Sequence, residues 1–359
     1  MMFFANYNKE MNDIRHISSQ ELVDFLLNNG EKKFRAAPME EWLWKKCARS
    51  FDEMTNLSVA LRQKLQENFT FLHADIATCV QSSDGTAKFI FGLHDGKQVE
   101  GVLIPSGQRV TACISSQVGC ALKCAFCATG TMGFIRNLHS TEIFDQFMLM
   151  DQKAQELYSQ NITNIVYMGM GEPLMNYENV MASIQRITAP TGPGLSPSRI
   201  TLSTVGIAAG IKRLADDGFK PDIALSLHCA DEMKRRLRMP VTEHQTFAML
   251  QDALVYLHEK TGKRITIEYL MLKDWNDSVE DARKLFRFCL PFPVKINLIE
   301  YNATESGYEK SPEANVKRFM EFLESKNMVV NMRHSRGKDI DAACGQLVRK
   351  AESTKQKAL

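Results

Sequence analysis

Gly119-Cys120-Ala-Leu-Lys-Cys124-Ala-Phe-Cys127-Ala-Thr-Gly130 spaces three cysteines as Cys-x3-Cys-x2-Cys. Three thiolates at this spacing can hold three irons of a cubic iron–sulfur cluster and leave the fourth iron without a protein ligand. An electron-carrying ferredoxin closes that position with a fourth cysteine. An open iron can bind and activate a small molecule, so the spacing points to catalysis rather than electron carriage. Two plainer readings compete. A structural zinc takes four protein ligands, and the nearest further candidates, Cys113 and His139, flank the triplet loosely. Free cysteines also pack well as small apolar residues, so three inert buried thiols fit the same spacing.

The chain around this stretch has 359 residues, enough to bury a large core and to form two domains. Its 44% hydrophobic and 24% charged residues are ordinary for a globular protein. The apolar start at Met1–Glu10 is too short for a signal-peptide core, and no long apolar span follows, so a cytoplasmic location is expected and a membrane partner is not. Nine cysteines in such a chain indicate metal or redox chemistry rather than a disulfide framework. Cys47, Cys79, Cys229 and Cys289 lie in apolar contexts and read as packing. The net charge of +2 says little, but Lys32, Lys33, Arg35, Lys45, Lys46 and Arg49 cluster against Glu40 and Glu41. Residues 333–357 are basic as well. Such patches suit a phosphate backbone, or are simply solvated faces.

Residues 1–74 read as a helical domain. A run from Ser19 has apolar residues at helical spacing, and Gly30 follows as a stop. Trp42 and Trp44 read as core. Over 75–110 the alternation becomes strand-like and is broken at Asp84-Gly85 and Asp95-Gly96, which predicts hairpins. From 111 to 349, strands at 111–115, 164–168, 199–203, 222–227, 264–271 and 294–299 alternate with helices such as 141–157 and 247–261. Repeated β-α units predict an α/β fold, a partial barrel of six units with its chemistry at the carboxyl ends of the strands. Residues 350–359 form a polar tail.

Each strand exit carries polar or flexible residues. The second leads into Gly169-Met-Gly171-Glu172-Pro173, where glycines allow close backbone approach and Glu172 can accept from an ammonium. A tight turn before a helix explains the same run. Ser203 follows on the third strand, Ser226-Leu227-His228 on the fourth and Asn302 after the sixth. Any one of these could satisfy local backbone, and a lone His228 would more often be a structural histidine. Together they suit a nucleoside pocket. Near the C-terminus, Cys344-Gly345 lies among small residues and reads either as a buried thiol or as a close ligand contact.

The runs 115–130, 169–173, Leu202-Ser-Thr-Val-Gly206, Ser226–His228 and Asp341-Ala-Ala-Cys-Gly-Gln-Leu347 together resemble the RlmN/Cfr family of radical S-adenosylmethionine (SAM) RNA methyltransferases, over nearly the whole chain. The resemblance implies a partial (βα)6 radical-SAM barrel with a helical N-terminal RNA-binding domain and a β-hairpin extension. It implies that Cys120, Cys124 and Cys127 hold one 4Fe-4S cluster. Gly171, Glu172, Ser203, Ser226, Leu227, His228 and Asn302 would hold SAM. The implied reaction methylates carbon 2 of an adenine in 23S rRNA and of the adenosine 3′ to the tRNA anticodon, with two SAM per turnover. In it Cys344 carries the methyl group, Cys113 resolves the protein–RNA adduct by attack on the Cys344 sulfur, leaving a disulfide, and Glu100 removes the ring proton. It further implies a monomer served by a reductase or flavodoxin-type electron donor. Pro173 stands where Cfr enzymes typically carry Ala, favouring carbon 2 over carbon 8. Cfr-like attack at carbon 8, or a non-catalytic metal-bearing RNA-binding module, stays as the alternative. Glu300 and Ala303 depart from the family's usual prolines around Asn302.

Overall fold

Ser18 caps α1 (Ser19–Asn28) through reciprocal bonds with Glu21, and Gly30, at φ +80, ends the turn beyond it. With α2 (Ala36–Trp44) and α3 (Val59–Asn68), this helix buries Leu22, Leu26, Met39, Leu43, Trp44, Leu61 and Leu65. Each such leucine contributes roughly 2 kcal/mol on burial. These positions belong to a computed structural model that describes residues 13–304 and 307–347. The apolar start at 1–10 and the polar tail at 350–359 lie outside the described residues, as do the last residues of the basic run 333–357.

A three-turn antiparallel meander follows: β1 (Asp75–Gln81), β2 (Ala87–Gly92), β3 (Gln98–Ser106) and β4 (Arg109–Cys113). Gly85, Gly96 and Gly107 all take positive φ in its turns, which favours glycine there. The chain then crosses a small hairpin of β5 (Gln117–Gly119) and β6 (Phe134–Asn137), whose connection holds the cysteine triplet and the one-turn α4 (Ala128–Thr131).

Beyond α5 (Ser140–Tyr158), strands and helices alternate: β7 (Asn164–Tyr167), α6 (Tyr177–Thr188), β8 (Ile200–Thr204), α7 (Ala208–Asp216), β9 (Asp222–Ser226), α8 (Glu232–Arg238), α9 (Phe247–Thr261), β10 (Ile265–Met271), α10 (Val279–Cys289), β11 (Val294–Glu300), α11 (Glu313–Glu324) and β12 (Val329–Arg333). From β4 onward all pairings in this sheet are parallel. The six expected strands are present, and β12 adds a seventh parallel one. One ten-stranded sheet thus runs from β1 to β12 in the order β1-β2-β3-β4-β7-β8-β9-β10-β11-β12, with β4 the hinge between antiparallel and parallel halves. Every residue of β10 is buried, as a strand covered on both faces requires.

The helical segment is fixed to the barrel by charge. Arg15 bonds Asp13 at 2.8 Å and Asp145 of α5 at 2.6 Å, with both guanidinium and carboxylates out of water. Trp44 meets Phe144 edge-on at 5.4 Å. Cys229 and Cys289 pack in cores, but Cys79 corrects the expectation of packing: it lies exposed on β1. No helix among the described residues is long and apolar enough to cross a membrane.

Candidate active site

The three cysteines follow a glycine that nothing else could replace. Gly119 has φ +75, and a Cβ there would fall 1.9 Å from Gly133 O. Cys120 N–H donates to that carbonyl, Cys127 N–H to Cys124 O, and Ala125 N–H to Arg238 O, so the loop is pinned between β6 and α8. Cys120 and Cys124 are buried and Cys127 is half-buried. Burial pushes the Cys120 thiol up to about 11 and Cys124 higher still, and the neighbouring sulfurs add to both. Free thiols here stay protonated, whereas a coordinated metal removes the proton outright. Cys113 and His139 do not complete a fourth ligand: Cys113 ends β4 and His139 caps α5 against His16. Among the described residues no three metal-binding side chains converge on a single ion. A cubic cluster takes one thiolate per iron, and the three thiols lie near enough to raise one another, as ligands of one cluster would.

Arg235 stands behind Cys124, fully buried, bonded to Leu227 O, Val205 O and Thr242 Oγ1. Burial among neutral acceptors pulls it down to about 10, and the sulfur of Cys124 opposes that. A buried cation of this kind suits a neighbouring anionic cluster.

The strand ends form one wall. Gly171 has φ +101, and a Cβ would fall 2.5 Å from Gln117 Cβ. Gln117 Oε1 accepts from Glu172 N–H at 2.8 Å. The Glu172 carboxylate accepts from Leu174 N–H and Val205 N–H, yet among the described residues no cation pairs with it, and burial pushes it up to about 7. An arriving ammonium would supply the missing counter-charge. Ser203 and Ser226 hydroxyls lie 3.1 Å apart. Leu227 N–H donates to Glu268 O. His228, at φ +55, accepts from Leu270 N–H through Nδ1, and burial with Arg235 nearby holds it down to about 3. It is therefore neutral and carries its proton on Nε2. Asn302 directs Nδ2 to Cys344 O, while its buried Oδ1 has no partner among the described residues. A carboxylate with no counter-charge and an amide oxygen with no donor among the described residues fit a ligand with an amino group and further donors.

Cys344 lies in the loop after β12. Gly345 O accepts from Ala128 N–H at 2.8 Å, and Leu347 O from Thr129 Oγ1 at 2.7 Å, so the loop sits on α4 directly beside the cysteine triplet. Gln346 Nε2 donates to Ala303 O. Glu300, where the family usually has proline, pairs with Lys310 and with Lys338 of the same loop. Cys344 is exposed, yet protein packed around its thiol shifts it up, opposed by Arg333. Cys113, buried at the end of β4, is pushed up to about 12 by burial and then by Cys344. Both are free thiols.

Glu100 is a buried carboxylate on β3. It is 3% exposed, two residues along β3 from Val102, which pairs with Cys113, so Glu100 and Cys113 face the same side of the sheet. Lys88 Nζ lies 3.1 Å from its Oε2. Lys88, Gln117, Arg235 and Arg333 are contributors that residue spacing did not single out. Only Gln117 had a signal, its place inside the 115–130 run.

A partial barrel with a three-cysteine loop across its strand ends defines the radical-SAM class of enzymes. Residues 114–288 match the Radical SAM superfamily, and residues 12–71 match the ribosomal RNA large subunit methyltransferase N-terminal domain. The chain is 46% identical over 351 residues to a probable dual-specificity RNA methyltransferase RlmN of Christiangramia forsetii, covering 98% of this chain and 100% of the relative. It is 42% identical over 346 residues to the dual-specificity RNA methyltransferase RlmN of Nitratidesulfovibrio vulgaris, covering 94% and 95%. A crystal structure of a radical SAM methyltransferase from Sphaerobacter thermophilus superposes with a TM-score of 0.88 at 35% identity, covering 94% and 99% of the two chains. The chain belongs to the RlmN family, with the 4Fe-4S cluster and SAM that the radical-SAM superfamily uses.

Proposed function

We propose that this enzyme methylates carbon 2 of an adenine in 23S rRNA and of the adenosine 3′ to the tRNA anticodon, through S-methylated Cys344. The docking of the Cys344 loop on the helix that follows the cysteine triplet is the observation that carries this reading. Carbon 2 lies between two ring nitrogens and is electron-poor, so it cannot act as a nucleophile toward SAM. When bound, cluster and SAM supply a carbon radical able to take hydrogen from the S-methyl group.

The chain's own residues do the rest. Cys120, Cys124 and Cys127 would ligate the cluster. Glu172 would take the SAM amino group, with Gly171, Ser203, Ser226, Leu227, neutral His228 and Asn302 lining the remainder. Cys344, exposed in its loop, would meet both a SAM methyl group and a base extruded from its stack. Cys113 would attack the Cys344 sulfur to free the product, leaving a disulfide that must be reduced before the next turnover. Glu100 would accept the proton of carbon 2. Two SAM molecules are consumed per turnover, one as methyl donor and one as radical source. The enzyme acts as a monomer, and a flavodoxin-type or reductase protein supplies electrons. The exposed Lys32, Lys33, Lys45 and Lys46 would grip phosphates.

The two thiols should fail differently. Cys344→Ala should abolish both methyl transfer to protein and RNA product. Cys113→Ala should keep the carrier, so protein accumulates covalently joined to RNA as a nuclease-sensitive band under reducing conditions. Normal turnover by Cys113→Ala, or crosslinking by Cys344→Ala, would refute these roles. Mapping the methyl group to carbon 8 instead would move the activity to the Cfr type.

A further inference from the structure

Lys88 is a long cation with little access to water, 12% exposed at its side chain. A lysine so placed needs partners. Among the described residues it has two, and they belong to different parts of the site. Its Nζ lies 3.1 Å from Glu100 Oε2 and donates at 3.0 Å to Asp341 O, three residues before Cys344. Strand register explains the reach. Lys88 pairs with Val102, and Val102 pairs on its other side with Cys113, so Lys88, Val102 and Cys113 form one row across the sheet. Paired residues project to the same face, and Glu100, two residues along, shares it.

The loop at Asp341 is held from the same hairpin. The turn between β1 and β2 receives it through Ser82 Oγ and Ser83 N–H, both donating to the Asp339 carboxylate at 2.5 and 3.1 Å. Gly337 N–H in turn donates to Asp84 Oδ2 at 2.9 Å. These bonds fix the loop's entry. Lys88 alone among them also touches a side chain assigned to the reaction.

We propose that Lys88 is a positioning residue for proton removal: its ammonium orients the Glu100 carboxylate and couples that orientation to docking of the Cys344 loop. The inference rests on the assignment of Glu100 as the base. In the step concerned, the carbon 2–hydrogen bond of the adduct breaks, an O–H bond forms on Glu100, and the bonding pair stays in the ring. Lys88 exchanges no proton. With the ammonium in place, the carboxylate faces the adduct only while Cys344 is delivered beside it.

The test uses the cluster-bearing enzyme with RNA, comparing K88M, K88R and E100Q with the parent. Methyl transfer from labelled SAM to Cys344 needs no base, so it should stay within about twofold in K88M. Resolution of the protein–RNA adduct should slow by about tenfold or more, since small misplacements of a reacting group carry losses of this size. The isotope effect with adenine deuterated at carbon 2 should rise as proton removal becomes limiting. K88R, which keeps the charge and the reach, should restore both. K88M combined with E100Q should be no slower than E100Q alone, as expected for two residues acting on one step. Equal loss of methyl transfer and adduct resolution in K88M would reduce Lys88 to a loop support and overturn the proposal. So would an unchanged isotope effect. If E100Q itself resolves adduct normally, the base assignment falls, and the role of Lys88 with it. If E100Q stalls while K88M does not, only the role of Lys88 falls.

Discussion

Glu172 holds a carboxyl that is buried, bonded by two backbone N–H groups, and pushed up to about 7 by burial that no cation among the described residues offsets. Below that pH it carries a proton and cannot pair with an ammonium; above it, the ionised form can. SAM affinity should therefore weaken as pH falls through 7, by about tenfold between pH 8 and pH 6. Equilibrium dialysis of labelled SAM across that range checks this. Glu172→Gln should bind more weakly and without the slope, and a flat profile in the parent would show that Glu172 does not meet the amino group. The position of Glu172 was legible in Gly169-Met-Gly-Glu-Pro173, because glycines before a carboxylate at a strand end advertise a close approach. Its protonation was not legible, since that depends on a counter-charge missing in three dimensions. Arg235 and Lys88 were hidden for a related reason. Each sits in an ordinary basic or alternating stretch and gains its meaning from partners such as Leu227 O, or Asp341 O, 253 residues away.

At the scale of elements, strand periodicity located all six expected parallel strands, because their runs are apolar enough to be covered on both faces. It missed β12. That strand is the sheet's edge, with Val329 exposed and polar Asn331 in the middle, so it lacks the apolar run of its neighbours. The loop beyond it was legible only as a stretch of small residues around Cys344. Its shape depends on Gly337, at φ +64, where a Cβ would come within 2.8 Å of Ala342 Cβ and 2.9 Å of Thr86 Cγ2. Gly337→Ala should strain this entry by about 1–2 kcal/mol from the backbone alone. Hydrogen exchange over residues 337–346 should quicken and RNA product should form more slowly, while iron content stays unchanged. Exchange as slow as in the parent would mean the clasp does not set the loop. The replacement of prolines by Glu300 and Ala303 has a counterpart here. Glu300 binds Lys338, and Ala303 O accepts from Gln346, so ion pairing and hydrogen bonding tie the Asn302 segment to the same loop.

At the scale of the molecule, Arg15 joins the helical segment to α5 with both partners desolvated. Arg15→Met leaves the buried Asp13 and Asp145 without the guanidinium they share, with His73 still beside Asp145, and should cost about 3–5 kcal/mol. A urea midpoint indistinguishable from the parent would show the bridge to be dispensable. The basic face is a separate matter. Arg35 and Lys46 have carboxylate partners in Glu31 and Glu41, whereas among the described residues Lys32, Lys33 and Lys45 have none. Neutralising Lys32, Lys33 and Lys45 should flatten the salt dependence of RNA binding by about 0.7 to 0.9 in log–log slope for each phosphate no longer neutralised. An unchanged slope would make the patch a solvated face. Among the described residues the sheet stays open, with β1 and β12 at its two edges. The segment leaving β12 reaches the turn beside β1, so one loop ties the two rims of an open cylinder together and brings Cys344 with it. That loop is translated after every strand it joins. A growing chain can therefore build its whole sheet and its cluster loop while still lacking the thiol that would carry a methyl group, and the catalyst is complete only once this strap has been threaded across the gap.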